Sequence, residues 1–391
     1  MKIGIIGAIG VDDIGDVIML EAALAQITAI GNRNGINTDF VVFALNREIA
    51  LEQLDYKGFC VEIVESLQPS DLSNTINNDY DFEQLLKIDF IKETNNIEPY
   101  YREIEKCDVL FFIGGGYFNE YWGVKLIPTF VIPIILGYQM RKPIFISGVN
   151  IGPFSQEQVN KLKGLFSNVH YLFLRDRDKS AKVLEKLGGT SGKVVFGADD
   201  VLPFWYRQDD AVKTNPLCWD DTKKYGILNL HHWAEIYSSS YIQFYKSLAL
   251  FFDYILDNKY VDRIYFMPFD YFKGLDYECG RRLKTFLNDR EEYVVLEPTK
   301  DHIGMRNMVR ASEFLIGSRY HPSVFGLEEH VPVLGIYTNE LYEHKILGAF
   351  QVLNRDGKQE MIHVNDVSLE RLKEWYCKAI LSKGKEDNPI S

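Results

Sequence analysis

The chain has 391 residues, of which 46% are hydrophobic and 25% are charged, and its formal net charge is -12. This length predicts two domains of ordinary size, and the composition is that of a soluble globular protein. The negative charge excludes a nucleic-acid binder, whose surface should be basic, so an anionic ligand needs a local basic pocket. Five scattered cysteines without a CxxC spacing indicate reduced thiols in a cytoplasmic protein, not a disulfide framework or a zinc site.

No stretch of the sequence predicts a transmembrane helix. The apolar start, Met1–Gly10, is followed directly by aspartates and shows no cleavage signature, so it is interpreted as a buried first strand. The most apolar later stretch, Leu126–Met140, is shorter than a membrane span and contains two prolines. A peripheral contact with a membrane stays open.

The first half of the chain alternates strand-like apolar runs with a helical pattern. Strands are predicted at 3–6 and 40–43, and the amphipathic pattern over 16–30 predicts the helix between them. Residues 66–98 are rich in Asn and Asp and predict an irregular excursion. Continuous apolar runs of this kind are typical of a parallel sheet that is covered on both faces. Further strands of this sheet are predicted at 109–113, 143–147 and 171–174.

A second series of strands and helices begins after a polar stretch at 206–224, which is interpreted as the interdomain linker. The domains are therefore predicted as 1–205 and 225–381, with a frayed tail at 382–391. In the second domain a helix with a core-facing aromatic stripe is predicted over 240–256. The fold class is α/β, with two facing Rossmann-like, doubly wound domains and a ligand cleft between them. Strands of the second domain are predicted near 226–230, 263–267, 293–296, 314–317 and 333–337.

The stretch from Ser318 to Pro322 is the strongest candidate for chemistry. It lies between an apolar strand and a predicted helix, whose free N–H groups and dipole favour an anion. Residues two apart in an extended segment point the same way, so Arg319 and His321 are predicted to face one cleft. A fixed cation beside a titratable imidazole suits catalysis on an anion. The alternative is that Arg319 pairs with a surface acid and His321 caps the helix.

Glycines and polar residues follow several predicted strands of the first domain. Gly114, Gly115 and Gly116 come directly after the strand at 109–113, where exposed backbone N–H groups suit a phosphate, a carboxylate or sugar hydroxyls. A purely steric turn is the alternative. Asp16 is assigned equally to a substrate contact or a helix cap. Ligand contacts in this domain are predicted at Asp16, Gly114, Gly115, Gly116, Asn119, Glu120 and Asn150.

Two further strand ends carry residues that interact with anions or metals. Arg175 follows the strand at 171–174 and is predicted either to bind an anion or to pair with Asp176 or Asp178. His231 and His232 end a strand of the second domain. Adjacent histidines in a strand face opposite ways, so they make a poor metal-binding pair, and no metal site is predicted.

Taken together, these motifs resemble the polysaccharide pyruvyl transferase family, a group with a GT-B-like two-domain arrangement. The resemblance covers nearly the whole chain. It implies transfer of a pyruvyl group from phosphoenolpyruvate to a sugar, usually as a cyclic pyruvate ketal, without a further cofactor. The residues that carry it are Gly15–Asp16, Gly114–Gly116, Gly152–Pro153, Arg175–Asp176, Ser180, Gly188, Ala198–Asp199, Met267–Phe269, Asp276 and Arg319–His321.

The resemblance implies that Arg319 and His321 are catalytic, and His321 is expected to act as acid or base because an imidazole titrates nearest the working pH. The donor is expected on the second domain, and the acceptor, a glycan or a lipid-linked sugar, on the first. Family members often carry an arginine where this chain has His231, a weaker anion ligand at neutral pH. Donor-binding residues are predicted at Arg175, Ser318, Ser323, His231 and Lys345.

Two alternatives to this function stay open. One is a GT-B glycosyltransferase that uses a nucleotide sugar, with Glu328 or Glu329 on the ribose. The other is a non-catalytic carbohydrate-binding relative, which the histidine at position 231 makes conceivable. The acceptor sugar, the stereochemistry of the ketal and the oligomeric state do not follow from the sequence.

Overall fold

A computed structural model describes the chain except for residues 54–57, 69–70, 72–81, 88, 90–96, 124–126, 198–199, 202–218, 221, 271, 354–360 and 382–391. The chain packs as two units. The first comprises Met1–Val11 and Gly15–Asp210, and the second comprises Asp12–Ile14 and Ala211–Ser391. The predicted tail lies outside the described residues, as do most of the predicted linker and most of the excursion predicted for 66–98.

The first unit is built on a parallel sheet of eight strands. They are β1 (Lys2–Ile6), β2 (Asp39–Ala44), β3 (Cys60–Glu65), β4 (Val109–Phe112), β5 (Gly115–Phe118), β6 (Ile144–Ile151), β7 (Tyr171–Leu174) and β8 (Lys193–Phe196). Their order is β3-β2-β1-β4-β6-β7-β8, with β5 paired to β6, and all neighbours run parallel. Strands β1 and β2 are buried over nearly their whole length, and β4 and β6 combine buried with half-buried residues.

The helices of the first unit cover this sheet. They are α1 (Ile14–Arg33), α2 (Arg47–Gln53), α3 (Phe82–Leu85), α4 (Glu98–Lys106), α5 (Ile127–Gln139), α6 (Gln156–Lys161) and α7 (Lys179–Lys186). Among the described residues, α1 alone is long and apolar enough to cross a membrane; 56% of its most apolar window is buried in the structure. Helices that pack into a core have the same length and composition, so this is weak evidence for a span.

The second unit is built on a six-stranded parallel sheet. Its strands are β9 (Tyr225–Asn229), β10 (Arg263–Phe266), β11 (Tyr293–Val295), β12 (Phe314–Gly317), β13 (Val333–Tyr337) and β14 (Met361–His363). The order is β11-β10-β9-β12-β13-β14, with all neighbours parallel. The direction of winding reverses between β9 and β12. In such a sheet, ligands bind beyond the carboxyl ends of the strands at this switch point.

The helices of the second unit alternate with its strands along the chain. They are α8 (Trp233–Ile236), α9 (Tyr241–Asp257), α10 (Leu275–Phe286), α11 (His302–Arg310), α12 (Tyr320–Glu328), α13 (Glu340–Val352) and α14 (Leu369–Tyr376). Ser240 caps α9 by accepting the Gln243 N–H at 3.3 Å. The aromatic stripe of α9, including Phe244 and Phe251, is buried in the core of the unit, as predicted.

The two doubly wound parallel sheets confirm the α/β class predicted from the sequence. The ligand cleft predicted between the domains stays a prediction. Four cysteines fall within the described part of the chain, and all four are free thiols, namely Cys60, Cys107, Cys279 and Cys377.

Candidate functional site

Arg319 and His321 lie where β12 passes into α12, at the switch point of the second sheet. The strand is fully buried, and Arg319 is the extended N-cap residue of the helix. His321 is already the second residue of α12, so the prediction that both residues share one extended segment was wrong. Both side chains are nonetheless buried on this edge, with side-chain exposures of 11% for Arg319 and 9% for His321.

The Arg319 guanidinium is surrounded by three carboxylates of its own unit. Its Nε donates to Asp276, one terminal nitrogen donates to Asp13, and the other donates to Asp270 at 3.1 Å. Asp276 is fully buried and Asp270 nearly so. Arg319 is therefore neither paired with a surface acid nor turned towards an open anion pocket; it is the cation of a buried acidic cluster.

The carboxylates of this cluster are difficult to ionise together. Burial raises the pKa of Asp276 to about 7, although the neighbouring Arg319 charge acts in the opposite direction. Burial also raises the pKa of Asp270. The negative charges of Asp270 and Asp13 act on Asp276 in the same direction as burial does.

Backbone groups fix the acids of the cluster in place. Asp270 accepts the backbone N–H groups of Asp276, at 2.7 Å, and of Tyr277, at 3.3 Å, at the start of α10. Asp276 also accepts the His232 N–H at 3.3 Å. These contacts orient the carboxylates towards Arg319 because each acid binds donors on more than one side.

His321 lies beside the same cluster. Its Nδ1 is 3.9 Å from one oxygen of Asp13, whose other oxygen accepts from Arg319. The ring edge also contacts Tyr320, with 5.2 Å between the ring centroids. The Asp13 carboxylate therefore lies against both Arg319 and His321, which together form the R-x-H motif of this chain.

His231 and His232 do not face opposite ways, so that prediction was wrong. Strand β9 ends at Asn229, and the histidines lie in the turn that enters α8, with ring centroids 4.3 Å apart. The turn is held by Ser318, whose hydroxyl accepts the His231 N–H at 2.6 Å. A strand would have alternated the two side chains, but the turn places them side by side.

Candidate ligand atoms of His231, His232 and Asp276 all lie within 4.8 Å of one another, a spacing that a metal ion can bridge. The hydrogen bonds compete with such a role. Asp276 already binds Arg319 and the His232 N–H, and Nδ1 of His231 accepts the Trp233 N–H at 3.2 Å. A nitrogen that accepts an N–H leaves the proton on Nε2, which is then unable to bind a metal.

The histidines are held neutral, and a buried lysine lies near them. Burial, followed by the charge of Arg319, lowers the pKa of His231 well below its usual value and also lowers that of His232. Lys345, on α13, is buried with its Nζ 5.4 Å from the centre of the Tyr342 ring, which in turn packs 5.3 Å from His231. Lys345 is therefore a positively charged side chain near His231, which is itself neutral.

Arg175 is the centre of a different network in the first unit. It follows β7, is 1% exposed, and donates through Nε to the Asn150 side chain. Asn150 in turn donates to Asp176 at 2.7 Å, and Asp176 accepts the backbone N–H of Ser180 at 2.7 Å in the first turn of α7. Arg175 is therefore buried in a hydrogen-bond network, and its predicted contact with the donor stays a prediction.

The three glycines after β4 are not an open loop, which corrects the prediction of exposed N–H groups. The Gly114 N–H donates to Asp200 at 2.9 Å, and Gly115 and Gly116 belong to β5. A Cβ atom on Gly114 would lie 2.9 Å from an oxygen of Asp200. The steric alternative therefore describes Gly114, with Asp200 as the reason why a side chain does not fit.

The remaining residues predicted to contact a ligand in this unit have mixed environments. Asn119 is 2% exposed and accepts the Tyr121 N–H at 2.7 Å, so it shapes the turn after β5. Glu120, beside it, is half-buried. Asp16 lines a cavity of about 10 Å³ with Gly10 and Gln53, which is room for no more than one water molecule.

The structure thus brings one predicted group together at the edge of the second sheet, comprising Ser318, Arg319, His321, Ser323, His231 and Lys345. The sequence missed Asp13 and Asp270 as members of this group. It also suggested a ribose contact for Glu329, which instead pairs with Arg306 and Arg310 and is 7% exposed.

Comparison with known proteins agrees with the family resemblance. A family model described as polysaccharide pyruvyl transferase matches residues 14–340. The amylovoran biosynthesis protein AmsJ of Erwinia amylovora is 21% identical over 328 residues, which cover 78% of this chain and 72% of that protein.

Solved structures similar to this chain share its fold class. A putative UDP-N-acetylglucosamine 2-epimerase from Listeria monocytogenes has a TM-score of 0.62 at 13% identity, over 99% of this chain and 88% of its own. The UDP-GlcNAc 2-epimerase of Neisseria meningitidis, bound to UDP-GlcNAc, has a TM-score of 0.58 at 10% identity, over 99% and 92%. MurG of Acinetobacter baumannii reaches 0.51 at 11% identity, over 96% and 90%. These likenesses confirm the GT-B-like fold class and, at such identities, show the fold alone.

Proposed function

The chain belongs to the polysaccharide pyruvyl transferase family, and on this premise we propose that it transfers the pyruvyl group of phosphoenolpyruvate to a sugar of a polysaccharide or its precursor. The family match over residues 14–340 is the observation that supports the proposal most strongly. The position of Arg319 and His321 at the switch point of the second sheet supports it further.

The reaction needs one proton donor and one place for phosphate to leave. His321 donates a proton to the methylene carbon of the enol, which becomes a methyl group, and the adjacent carbon becomes oxocarbenium-like. A sugar hydroxyl attacks that carbon and gives its proton back to the histidine. Phosphate departs, and a second hydroxyl closes the ketal as its proton leaves with the phosphate. Phosphoenolpyruvate and a diol thereby become a pyruvate ketal and inorganic phosphate.

The donor carries a carboxylate and a phosphate, so its pocket needs positive charge. Three carboxylates offset the charge of Arg319, and His231 is held neutral, so we assign the main electrostatic contact to Lys345. Ser318 and Ser323, both fully buried beside the start of α12, lie where helix N–H groups favour an anion. We assign the donor to this edge of the second unit.

The acceptor in this proposal is a glycan or a lipid-linked sugar, and the enzyme is cytoplasmic and needs no cofactor besides phosphoenolpyruvate. The strand ends of the first unit, around Asn119 and Glu120, are the assigned acceptor contacts. Arg175 and Asn150 are given a supporting role, because they bind one another in the buried network.

A phosphate-release assay with phosphoenolpyruvate and candidate glycans tests the function. We expect His321→Asn to lower turnover by about 100-fold or more, the usual contribution of a positioned acid. His330→Asn is the matched control, because His330 is exposed and has a positive φ of 58°, which asparagine accepts. Equal turnover by the wild type and His321→Asn would refute the role of His321.

Ligand-induced stabilisation separates this function from nucleotide-sugar transfer. A ligand that binds the native state raises the melting temperature. We expect phosphoenolpyruvate to raise it in the wild type and less in Lys345→Met. Stabilisation by UDP-sugars but not by phosphoenolpyruvate would contradict the proposed donor.

A further inference from the structure

We propose that Asp13 is a positioning residue that holds Arg319 and His321 in one arrangement by binding both. Its two oxygens divide between them: one accepts from a terminal nitrogen of Arg319, and the other lies 3.9 Å from Nδ1 of His321. Because Arg319 is fixed by two further carboxylates, the oxygen that faces His321 is fixed as well.

The segment that carries Asp13 is anchored on both sides of this residue. Asp12 accepts the Phe272 N–H at 2.9 Å, and the Ile14 N–H donates to the carbonyl of Phe269 at 3.0 Å. All of these residues belong to the second unit. The backbone on both sides of Asp13 is therefore anchored by hydrogen bonds that do not involve Arg319 or His321. These bonds fix the position from which Asp13 reaches the two residues.

The local charges explain why His321 needs a carboxylate. A helix N-terminus favours anions, so a protonated imidazole in the first turn of α12 is in an unfavourable position. An opposite charge about 4 Å away reverses this effect and favours the imidazolium. The other titratable or charged groups that interact with Arg319 are Asp270, Asp276, His231, His232 and Tyr342, and Lys345 acts on His231.

The proposed role has two parts. Asp13 keeps Nδ1 of His321 protonated and directed at a fixed acceptor, which leaves Nε2 as the atom that exchanges a proton with the substrate. It also stabilises the charged imidazolium that must exist before the proton is given up. The catalytic consequence rests on the proposed pyruvyl transfer, but the effect on the imidazole does not.

Imidazole titration by NMR tests the proposal without any substrate. Loss of one ring signal in His321→Asn assigns the resonance among the eight histidines of the chain. We expect Asp13→Asn to lower the pKa of His321 by about one unit, because it removes the charge and keeps the size of the side chain. Asp12→Asn is the matched control: it removes the same charge one residue away, and its amide oxygen still accepts the Phe272 N–H. It should leave the His321 pKa nearly unchanged.

Two results would overturn the proposal: an unchanged His321 pKa in Asp13→Asn, or an equal shift in Asp12→Asn. Should Asp13→Asn not fold, Asp13→Glu and the wild type remain informative. The proposal requires the wild-type His321 pKa to exceed the ordinary value of about 6.5, and a value below it contradicts the role of Asp13. Asp13→Glu should keep the His321 pKa above that ordinary value, because it retains the carboxylate.

Activity supplies the second readout if pyruvyl transfer is found. The rate of an enzyme that needs the imidazolium falls as pH rises through its pKa, so Asp13→Asn should move that fall to lower pH. A shifted NMR pKa without any pyruvyl transfer would support the positioning role and refute the proposed function. Pyruvyl transfer with no shift of the His321 pKa in Asp13→Asn would support the proposed function and refute the positioning role.

Discussion

Arg175 and Arg319 hold comparable positions in the two units, since each lies between a buried parallel strand and the helix that follows it. Their partners differ. Arg175 donates to the neutral amide of Asn150, and the nearby Asp176 caps α7 through backbone N–H groups. Arg319 is held by three carboxylates. The described contact of Arg175 is thus with an amide, whereas Arg319 is the cation of an acidic cluster in which burial raises the pKa of Asp270 and of Asp276.

Removal of Arg319 should have the largest effect. Arg319→Leu leaves three buried or half-buried acids without their cation, and such a loss costs about 3–5 kcal/mol of the free energy of unfolding. The cost should be smaller in mild acid, because Asp270 and Asp276 can then carry protons. Urea denaturation followed by circular dichroism, at about pH 8 and about pH 5.5, measures both values.

Arg175→Leu is the matched control for this pH effect. It removes a buried cation from the comparable position of the first unit. The change in its cost between the two pH values therefore measures the general effect of pH on the loss of a buried arginine. An Arg319→Leu cost that does not change with pH would remove the distinction between the two networks.

Removal of the capping acid in the first unit should have an intermediate effect. Asp176→Ala takes away the acceptor for the N–H groups of Lys179 and Ser180 and for the Asn150 amide. Unsatisfied buried donors and a lost cap together cost about 2–3 kcal/mol. Asp178→Ala, which changes an exposed neighbour with no capping bond, should cost less than about 0.5 kcal/mol. Equal losses of unfolding free energy in the two variants would refute the capping role.

A further effect is expected on how stability changes with pH, and not on its value at one pH. The pKa of Asp276 is raised by burial to about 7 from 3.8, so the folded state binds its proton more tightly than the unfolded state does. The free energy of unfolding should therefore fall as pH rises from about 4 to about 7. Asp276→Asn removes this contribution, and its unfolding free energy should fall less than that of the wild type over the same range.

Glu278→Gln, on the same helix, is the control for the loss of one negative charge. Glu278 is exposed, and its ion pair with Arg281, at 3.7 Å, lies on the surface. This variant should keep the wild-type dependence on pH. If Asp276→Asn also keeps it, the buried acid does not titrate in this range.

Much of the fold followed from the sequence because buried parallel strands leave a continuous apolar signal. The predicted runs at 40–43, 171–174 and 314–317 coincide with β2, β7 and β12 within one or two residues. Strand β5 was missed because its first two residues are glycines, which indicate a loop. Strand β14 has only three residues and is defined by its pairing with β13. A pattern within so short a segment does not predict that pairing.

The site was predictable where its signal is local. The R-x-H motif and its strand-to-helix context are visible in the sequence, and the structure places them as one group with Ser318. The partners of Arg319 are not visible in this way, because Asp13 is 306 residues away along the chain. The arrangement of His231 and His232 depended on where β9 ends, and a one- or two-residue error there changes which way a side chain points.

The second unit is discontinuous in sequence, because Asp12–Ile14 belongs to it although the rest of it begins at Ala211. A fragment that starts after the predicted linker would keep Arg319 and His321 but lose Asp13, leaving Arg319 with two of its three acids. A fragment cut at that boundary therefore keeps every residue of the R-x-H motif but lacks the carboxylate that contacts both Arg319 and His321. A short peptide that contains Asp12–Ile14, supplied in trans, is the piece such a fragment would lack.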